Sequence, residues 1–310
     1  MVNLQRKDQN FSVISRREFV KAGAVFVGTM AFGAPGVDRL LANDTDSITI
    51  GMLADVHYAD RDTVGNRHYR ESPAKVRKCI EDFNSAKPDF IIELGDFVDK
   101  GESLAAELDY LERIEREYAK FRGERHYVLG NHDTATFSKK QFIENCGAKK
   151  NYYSFDKGNF HITVLDACYN EDESDYNAGN FDWTKTYIPA AEQEWLEADL
   201  KGTEKKTIVF LHQRLDDEKD AHGVKNAPEV RKIIHQSGKV LAVFQGHDHR
   251  GAYKNVNGIH YCTLQALVVD SGLENNAYAV VQIRSDGSVK IDGFGKQKDL
   301  AVTQQEGNEQ

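Results

Sequence analysis

Five apolar segments of the chain end abruptly in polar side chains that can bind a metal ion, and this pattern constrains the fold most. The clearest segment covers residues 91–94, with Gly95 and Asp96 directly after it. Such a run is typical of a buried strand in a parallel sheet, and ligands of open α/β sheets bind beyond the carboxyl ends of such strands. The other four segments are followed by Asp55 and His57, by Asn131, His132 and Asp133, by His212, and by His247 and His249. We therefore predict that five strand ends meet around Asp96.

Length and charge limit the class of protein. The 310 residues are enough for one α/β domain with a large core, or at most for two small ones. A formal net charge of −9 disfavours nonspecific nucleic-acid binding, because that affinity comes mainly from Lys and Arg contacts to phosphate. We therefore expect no nucleic-acid partner, whereas a small phosphorylated substrate held by metal is compatible with this charge.

The first 42 residues have the layout of a signal peptide. Arg16 and Arg17 precede a Gly/Ala-rich apolar stretch at residues 22–34, which is shorter than the ~20 residues that span a bilayer. The motif resembles a bacterial twin-arginine signal, which implies transport of the folded precursor by the twin-arginine export machinery to a periplasmic or extracellular location. No cysteine follows the stretch, so we expect no stable membrane anchor. The alternative is an amphipathic or disordered N-terminus that contains Arg-Arg by chance.

The cysteines are compatible with an oxidising compartment and with a reducing one. Cys79, Cys146, Cys168 and Cys262 are widely spaced and form no C-x-x-C pair of the kind found in zinc or redox sites. An exported protein could form up to two disulfides from them. Four buried free thiols are an equally good interpretation.

The segment after the signal alternates between strands and helices. Ser72 and Pro73 predict the start of a helix, and apolar residues follow at positions 76, 79, 80 and 83 with helical spacing. The same spacing predicts a second helix over residues 104–121 and a third over 138–146. The first helix would cover one face of the sheet, and the apolar residues of the second are most simply core residues.

The pattern changes in the second half of the chain. Residues 151–155 and 160–165, joined by a turn, predict a hairpin and hence a second sheet. A long acidic and aromatic loop at 169–186 is of the kind that often borders a site. Helices are predicted over 189–200 and from about Pro228. Strands at 260–264, 278–283 and 289–291 are expected to close the chain as a meander, with a frayed polar end from residue 296. We thus predict one domain at 43–300 and a polar tail at 301–310.

Seven side chains at the strand ends form a potential ligand set. They are Asp55, His57, Asp96, Asn131, His212, His247 and His249. Carboxylate, imidazole and amide oxygen without thiolate are ligands for Mn, Fe or Zn. Seven donors are too many for one tetrahedral ion and suit two ions that share a carboxylate, for which Asp96 is the natural candidate. Two ions roughly 3.5–4 Å apart can clamp a phosphoryl oxygen and turn bound water into hydroxide.

These motifs resemble the calcineurin-like metallophosphoesterase superfamily. The elements D-x-H, G-D-x-x-D, G-N-H-D, a lone His after a strand, and G-H-x-H occur in that order over roughly residues 48–265. The resemblance implies an α/β fold, a four-layer α/β/β/α sandwich of two mixed sheets flanked by helices, with a dinuclear metal centre at its mouth. It assigns the first ion to Asp55, His57, Asp96 and His249, and the second to Asp96, Asn131, His212 and His247.

The resemblance also implies roles in catalysis. His132 would be the general acid that protonates the leaving oxygen, or would stabilise charge in the transition state. Asp99 or Asp133 would orient His132 by a hydrogen bond. The implied activity is hydrolysis of phosphoric esters or pyrophosphates, in which metal-bound hydroxide attacks phosphorus.

A looser similarity points to one branch, the manganese-dependent ADP-ribose/CDP-alcohol diphosphatases. It is carried by Asp60, by the run Arg67, His68, Tyr69 and Arg70, by residues 152–155 and by residues 246–253. That branch tends to carry Gln where this chain has His57. Arg67 or Arg70 is expected to bind a substrate phosphate, because a planar guanidinium favours bidentate phosphate contacts; the alternative for both is a surface salt bridge.

Other classes of function remain open at this point. One is a nuclease-type phosphodiesterase of the same fold, which the acidic composition disfavours. Another is a non-catalytic exported binding protein built on the same scaffold, and a third is an enzyme with a single metal ion. The complete ligand set together with His132 favours a hydrolase with two ions.

Overall fold

The computed structural model describes residues 46–303, which form two six-stranded mixed sheets. The predicted signal peptide and the last part of the predicted tail lie outside the described residues. The strands are β1 (Ser47–Leu53), β2 (Phe90–Glu93), β3 (Arg125–Tyr127), β4 (Tyr153–Lys157), β5 (Phe160–Val164), β6 (Lys206–Phe210), β7 (Val240–Gln245), β8 (Arg250–Val256), β9 (Ile259–Gln265), β10 (Ala277–Arg284), β11 (Val289–Gly295) and β12 (Leu300–Val302). The helices are α1 (Ser72–Ala86), α2 (Leu104–Tyr118), α3 (Lys139–Cys146), α4 (Ala190–Gly202) and α5 (Ala227–Ser237).

The first sheet has the order β12-β11-β10-β1-β2-β3. Its strands β1, β2 and β3 are parallel, while β10, β11 and β12 add to β1 in antiparallel fashion. The parallel strands are short and buried, as expected for strands covered on both faces. Their carboxyl ends therefore lie side by side, and the residues that follow them point into one crevice.

The second sheet has the order β4-β5-β6-β7-β9-β8. Strands β5, β6, β7 and β9 are parallel, and the hairpin partners β4 and β8 close the two edges. The predicted hairpin is thus present as β4 and β5. The carboxyl ends of β6 and β7 face those of the first sheet.

Three apolar cores separate four layers. The first lies between the sheets and includes Ile50 and Phe210. The second packs α1, α2 and α3 on the first sheet, and the third packs α4 and α5 on the second. This arrangement is the predicted α/β/β/α sandwich.

The helices begin and end where local chemistry favours it. Pro73 lies in the first turn of α1, as predicted, although the N-cap residue is Glu71 and not Ser72. The Ser103 hydroxyl accepts a hydrogen bond from the backbone N–H of Ala106 at the start of α2. Ser138 forms a capping box at the start of α3, and Gly147 ends that helix in a left-handed conformation.

The end of the chain differs from the prediction. The last three predicted strands do not form one meander, because β9 belongs to the second sheet whereas β10 and β11 belong to the first. Strand β8 was not predicted, since its residues are mostly exposed and lack an apolar pattern. The chain after residue 296 is not frayed throughout: β12 pairs with β11, and Leu300 and Val302 pack against the inter-sheet core.

Two smaller points concern the cysteines and the membrane. All four cysteines are buried free thiols, so the structure follows the thiol interpretation and not the disulfide one. Within residues 46–303, no helix combines the length and apolarity needed to cross a bilayer.

Candidate metal centre

The structure brings the seven predicted ligands together at the facing carboxyl ends of the two sheets. Asp55 and His57 follow β1, Asp96 follows β2, and Asn131 lies beyond β3. The second sheet contributes His212 after β6, His247 after β7 and His249 just before β8. All except His249 are buried.

Several of these residues have strained backbone conformations. Asp55, His57, Asp96 and His247 have φ of 54°, 44°, 61° and 68°, in the left-handed region that non-glycine residues rarely adopt. Such strain concentrates at functional sites because the surrounding structure must hold it. Gly130 allows the close approach of two loops, since a Cβ there would lie 2.2 Å from the backbone N of Asp96.

One group of donors consists of Asp55, His57 and His249. The Nε2 atoms of His57 and His249 lie 3.1 Å apart, and His249 Nε2 is 3.4 Å from Asp55 Oδ1. His57 Nδ1 is 3.1 Å from Asp99 Oδ2, which leaves Nε2 as the atom facing the centre. His57 Nε2 is also 3.5 Å from Asp96 Oδ2.

A second group consists of Asp96, His212 and His247. His212 Nδ1 donates to the carbonyl of Leu94 at 2.8 Å, so its Nε2 faces Asp96 Oδ2 at 3.1 Å. That Nε2 also lies 3.1 Å from His247 Nδ1. Asp96 also forms a third group of donors with His57 and His132. It therefore adjoins both sides of the centre, which is the position required of a shared carboxylate.

The chemistry of these atoms fits metal ions. Two pairs of imidazole nitrogens face each other with carboxylates beside them, an arrangement that a cation between the nitrogens stabilises. The side-chain oxygen of Asn131 and Nε2 of His247 are buried without a hydrogen-bond partner. Buried polar atoms are normally paired, so the unpaired side-chain oxygen of Asn131 is available as a ligand. The donor set suits two ions of the Mn, Fe or Zn type.

The electrostatics of the centre favour the ligand forms of His57, His247 and Asp96. His212 differs, because burial lowers its pKa but Asp96 outweighs burial and raises the pKa to about 9, so a metal ion would have to displace its proton. Burial lowers the pKa of His57 to about 4, with a further contribution from nearby His132. Burial and His212 also hold the pKa of His247 well below its usual value. Burial alone would raise the pKa of Asp96, but the imidazoles of His212, His132 and His57 keep it well below the usual range. The carboxylate and the two neutral imidazoles are therefore ready to bind cations.

His132 lies at the rim of this centre. Its backbone N–H donates to Asp96 Oδ1 at 2.7 Å, and its Nδ1 is 3.2 Å from Asp99 Oδ1. Its ring stands edge-on to that of His57, with centroids 4.5 Å apart. Burial lowers the pKa of His132, but Asp96 and Asp99 outweigh it and raise the pKa overall. Asp99 is therefore placed to orient both His57 and His132.

Asp133 has a different position from the one that the prediction required. Its carboxylate accepts hydrogen bonds from the backbone N–H groups of Asp96, Phe97, Val98 and Gly130, at 2.8–3.1 Å. It therefore fixes the loop after β2 to the loop after β3. Of the two carboxylates predicted to orient His132, the structure brings Asp99 to it and engages Asp133 elsewhere.

The two arginines that were predicted to bind phosphate lie at different distances from the centre. Arg67 is one-third exposed, with NH1 3.7 Å from Asp99 Oδ2. Arg70 is not brought to the centre, because its guanidinium binds Asp60 and Asp62 on the surface, each at 2.6 Å. Arg70 thus corresponds to the surface salt bridge that was the alternative.

Arg61, which was not predicted to bind phosphate, lies with Arg67 at Asp99. Its NH2 is 3.0 Å from Asp99 Oδ1, and its guanidinium lies over the buried Tyr69 ring at 4.0 Å. The sequence contains no signal that distinguishes Arg61 from the other basic residues of the polar loop. Only the folded path of residues 58–71 reveals its position.

An ion network supports the turn that carries His247 and His249. Asp248, between them, is buried and accepts from Arg214 NH1 at 3.0 Å and from Arg250 at 2.9 and 3.0 Å. Arg214 also binds Asp216 at 2.7 Å. This network links the loop after β6 to the loop after β7, and sequence analysis did not predict it.

Trp183 and His222 border the centre on the side of His247. Their ring centroids lie 5.5 and 5.2 Å from that of His247. The loop at 169–186 had been predicted to border a site, and Trp183 brings it there. The sequence gives no signal for His222, because a lone histidine in a polar segment is indistinguishable from a structural one.

Comparisons with known proteins agree with this geometry. The family described as calcineurin-like phosphoesterase matches residues 48–251, more than half of the chain. A manganese-dependent ADP-ribose/CDP-alcohol diphosphatase of Xenopus tropicalis is 25% identical, over 82% of this chain and 93% of the relative. The protein of the same name from Arabidopsis thaliana is 26% identical, over 70% of this chain and 85% of the relative.

Solved structures share the fold. A dimetal phosphatase from Danio rerio superposes with a TM-score of 0.71 at 21% identity, covering 83% of this chain and 99% of that one. The protein GAP50, described as an anchor in the inner membrane complex of Plasmodium, has a TM-score of 0.55 at 13% identity, covering 85% and 90%. These likenesses confirm the architecture.

The family match and the site give one conclusion. The chain belongs to the calcineurin-like phosphoesterase family, and it is a metal-dependent phosphoric ester hydrolase.

Proposed function

We propose that this enzyme hydrolyses the pyrophosphate bond of small nucleoside-diphosphate substrates such as ADP-ribose. The curated relatives above support this substrate class, since their names specify ADP-ribose and CDP-alcohols. The observation that carries the proposal is the pair Arg61 and Arg67, whose guanidinium groups converge on the single carboxylate of Asp99. Their side chains are 38% and 32% exposed, so they retain donors for a second phosphate beside the one that reacts.

The proposed roles of the site residues follow from their positions. Asp55, His57, Asp96 and His249 would hold one ion, and Asp96, Asn131, His212 and His247 the other. When bound, two such ions supply an activated water and polarise the phosphoryl oxygens. His132 donates a proton from Nε2 to the leaving oxygen, because its Nδ1 faces Asp99. Arg61 and Arg67 bind the phosphate that departs with the leaving group.

The substrate assay compares three classes with manganese-loaded protein from residue 43 onward. The substrates are ADP-ribose, a phosphomonoester and a simple phosphodiester, with Asp96→Asn as the blank. We expect ADP-ribose to have the highest kcat/KM. A preference for the simple esters would leave the enzyme class unchanged and would contradict the diphosphate substrate.

A matched set of arginine variants tests the phosphate contacts. Arg61→Gln and Arg67→Gln should each raise KM for ADP-ribose at least about ten-fold, since a hydrogen bond to a charged group contributes ~1.5–3 kcal/mol. Hydrolysis of the monoester should change little. Arg70→Gln is the control, because Arg70 binds Asp60 and Asp62 and not the centre. Equal effects of all three substitutions would contradict the assignment.

We also propose export through the twin-arginine machinery, which places the enzyme in the periplasm or outside the cell. The support is the Arg16-Arg17 motif and the short apolar stretch after it. In a bacterial host, the precursor should yield a shortened protein in the periplasmic fraction, and Arg16→Lys together with Arg17→Lys should retain it in the cytoplasm. Export that is unaffected by both substitutions would contradict this proposal.

A further inference from the structure

A large aromatic side chain is exposed at the rim of the metal centre. Trp183 is 42% exposed and is one of five large apolar residues with high exposure within residues 46–303. Its ring packs edge-on against His247, at a centroid distance of 5.5 Å and an interplanar angle of 75°. An exposed Trp loses the stabilisation that its burial would give, so its position beside a predicted ligand calls for a function.

His222 forms the second wall of this feature. Its ring lies 5.5 Å from that of Trp183 at 45°, and 5.2 Å from that of His247. His222 Nδ1 lies 2.6 Å from Asp220 Oδ1, which fixes the orientation of the imidazole. Trp183 and His222 thus pack on each other and on His247, and this pair of rings is here called the aromatic ledge.

The two loops that carry the ledge are tied to each other. Thr186 and Val224 form an isolated parallel bridge, and the backbone N–H of Lys225 donates to the carbonyl of Thr186 at 2.9 Å. The loop with His222 is closed on itself, since the N–H of Arg214 donates to the carbonyl of His222 at 3.0 Å. A rigid ledge binds a planar ligand with little loss of conformational entropy.

We propose that the aromatic ledge binds the nucleobase of the substrate. A purine or pyrimidine offers the flat, apolar face that stacks on Trp, and the stack tolerates different bases. The ledge adjoins His247, whereas Arg61 and Arg67 adjoin His57 through Asp99. A nucleoside diphosphate then lies with its base on the ledge and its second phosphate at the arginines. This assignment rests on the proposed diphosphatase function.

Trp183 can report on its own ligand. The chain contains two tryptophans. The other, Trp195, lies in α4 and packs on Tyr152. In a manganese-loaded Trp195→Phe variant, AMP should quench the fluorescence of Trp183 in a saturable manner. Ribose 5-phosphate, which has the same phosphate without a base, should quench at least ten-fold less at equal concentration. Equal quenching by both ligands, or none by AMP, would overturn the base site.

Kinetics give an independent measurement. Trp183→Leu should raise KM for ADP-ribose about ten-fold, because base stacking contributes ~1–3 kcal/mol, with kcat changed less than three-fold. Its KM for ribose 5-diphosphate, which lacks the base, should stay within two-fold of the original. Trp183→Phe keeps an aromatic face and should restore most of the affinity. A melting curve and the bound manganese content verify that each variant is folded and loaded.

The experiments distinguish failure of the diphosphatase function from failure of the nucleobase site. If ADP-ribose is not hydrolysed but AMP still quenches Trp183 selectively, the diphosphatase function is wrong and the base site stands. If ADP-ribose is hydrolysed but Trp183→Leu affects both diphosphates equally, the diphosphatase function stands and the base site is wrong.

Discussion

At the residue scale, the centre depends on histidines of which one ring nitrogen already faces an oxygen acceptor. One oxygen of Asp99 is hydrogen-bonded to His57, the other lies 3.2 Å from His132 Nδ1, and the carbonyl of Leu94 accepts from His212. Each imidazole therefore presents one defined nitrogen to the crevice. His132 and Asp99 consequently have separable effects, because His132 lies at the rim whereas Asp99 supports both the rim and a ligand.

Replacement of His132 should lower turnover without loss of metal. For His132→Gln we expect kcat to fall about 10²–10⁴-fold, the usual contribution of a general acid, with unchanged manganese content. Asp99→Asn should lower both kcat and manganese affinity, since Asp99 also orients His57. The measurement is steady-state kinetics together with metal analysis of the same samples. Full turnover of His132→Gln would contradict its role as proton donor.

The role of the seven donors as metal ligands stays a prediction. Their placement beyond the strand ends was predictable, because a buried apolar run determines where its next residues point. Arg61, Trp183 and His222 were not, because they lie on long loops whose path depends on tertiary contacts. Asp99 and Asp133 could not be separated in advance. Asp133 is next to His132 in sequence but is held by backbone N–H groups, whereas Asp99 lies in another loop and approaches His132 only in the folded chain.

At the element scale, the loops after β6 and β7 act as one unit. The chain of contacts from Asp216 through Arg214 to Asp248 crosses from one loop to the other. Asp248 is almost fully buried, so its charge depends on these arginines. The loops carry His212, His247 and His249, and their relative position sets the geometry of both groups of donors.

Loss of Arg214 should therefore weaken metal binding from a distance. We expect Arg214→Met to lower manganese affinity about 10–100-fold, as is typical when a group that supports a ligand is removed. Arg250→Met is the matched control, because Arg250 also binds Asp248 but its side chain is 75% exposed, so its contribution is small. The measurement is a manganese titration of metal-free protein. Equal affinities of Arg214→Met and the original protein would contradict this coupling.

Two strands and one change of sheet were not predicted, because the local sequence carries no signal for them. Strand β8 is an exposed edge strand without an apolar face, and β12 is only three residues long. The change of sheet between β9 and β10 leaves no local trace, because both strands have the same kind of sequence pattern. The helices were predictable to within a few residues, since each has a regular apolar face.

At the scale of the whole molecule, stability depends on the core between the two sheets and on buried groups at its margin. His126, in β3, lies at the margin of this core. Its ring stacks on that of Phe155 with centroids 4.0 Å apart, and its Nδ1 lies 3.2 Å from the hydroxyl of Tyr153. Burial lowers the pKa of His126 to about 4, from its ordinary 6.5. The unfolded chain therefore binds a proton between these values that the folded protein does not.

Acid should destabilise the protein partly through this residue. Above about pH 6.5, His126 is neutral in both states and does not lower the free energy of unfolding. As the pH falls toward 4, protonation of the unfolded chain lowers the free energy of unfolding by on the order of 2–3 kcal/mol. His126→Phe keeps the stack on Phe155 and cannot be protonated, so its free energy of unfolding should fall less over this range. Denaturant unfolding at pH 7, 6, 5 and 4 measures the difference. Parallel curves for both proteins would contradict the assignment.

The layered architecture was predictable from the resemblance and from the order of strands and helices. The meeting of the strand ends around Asp96 was part of the same prediction, and the facing carboxyl edges of the two sheets bring the donors together. The 2.8 Å contact of His212 with the carbonyl of Leu94 and its 3.1 Å contact with Asp96 both join the two edges. The shared position of Asp96 between two groups of donors is therefore the central claim about this molecule.

That claim is tested most directly by electron paramagnetic resonance of the manganese-loaded protein, with metal analysis of the same sample. Two ions roughly 3.5–4 Å apart and bridged by Asp96 should give two manganese per chain and an exchange-coupled spectrum. Asp96→Asn should lose the coupling and at least one ion. Two bound ions with uncoupled spectra, or full retention of both in Asp96→Asn, would contradict a bridged dinuclear centre.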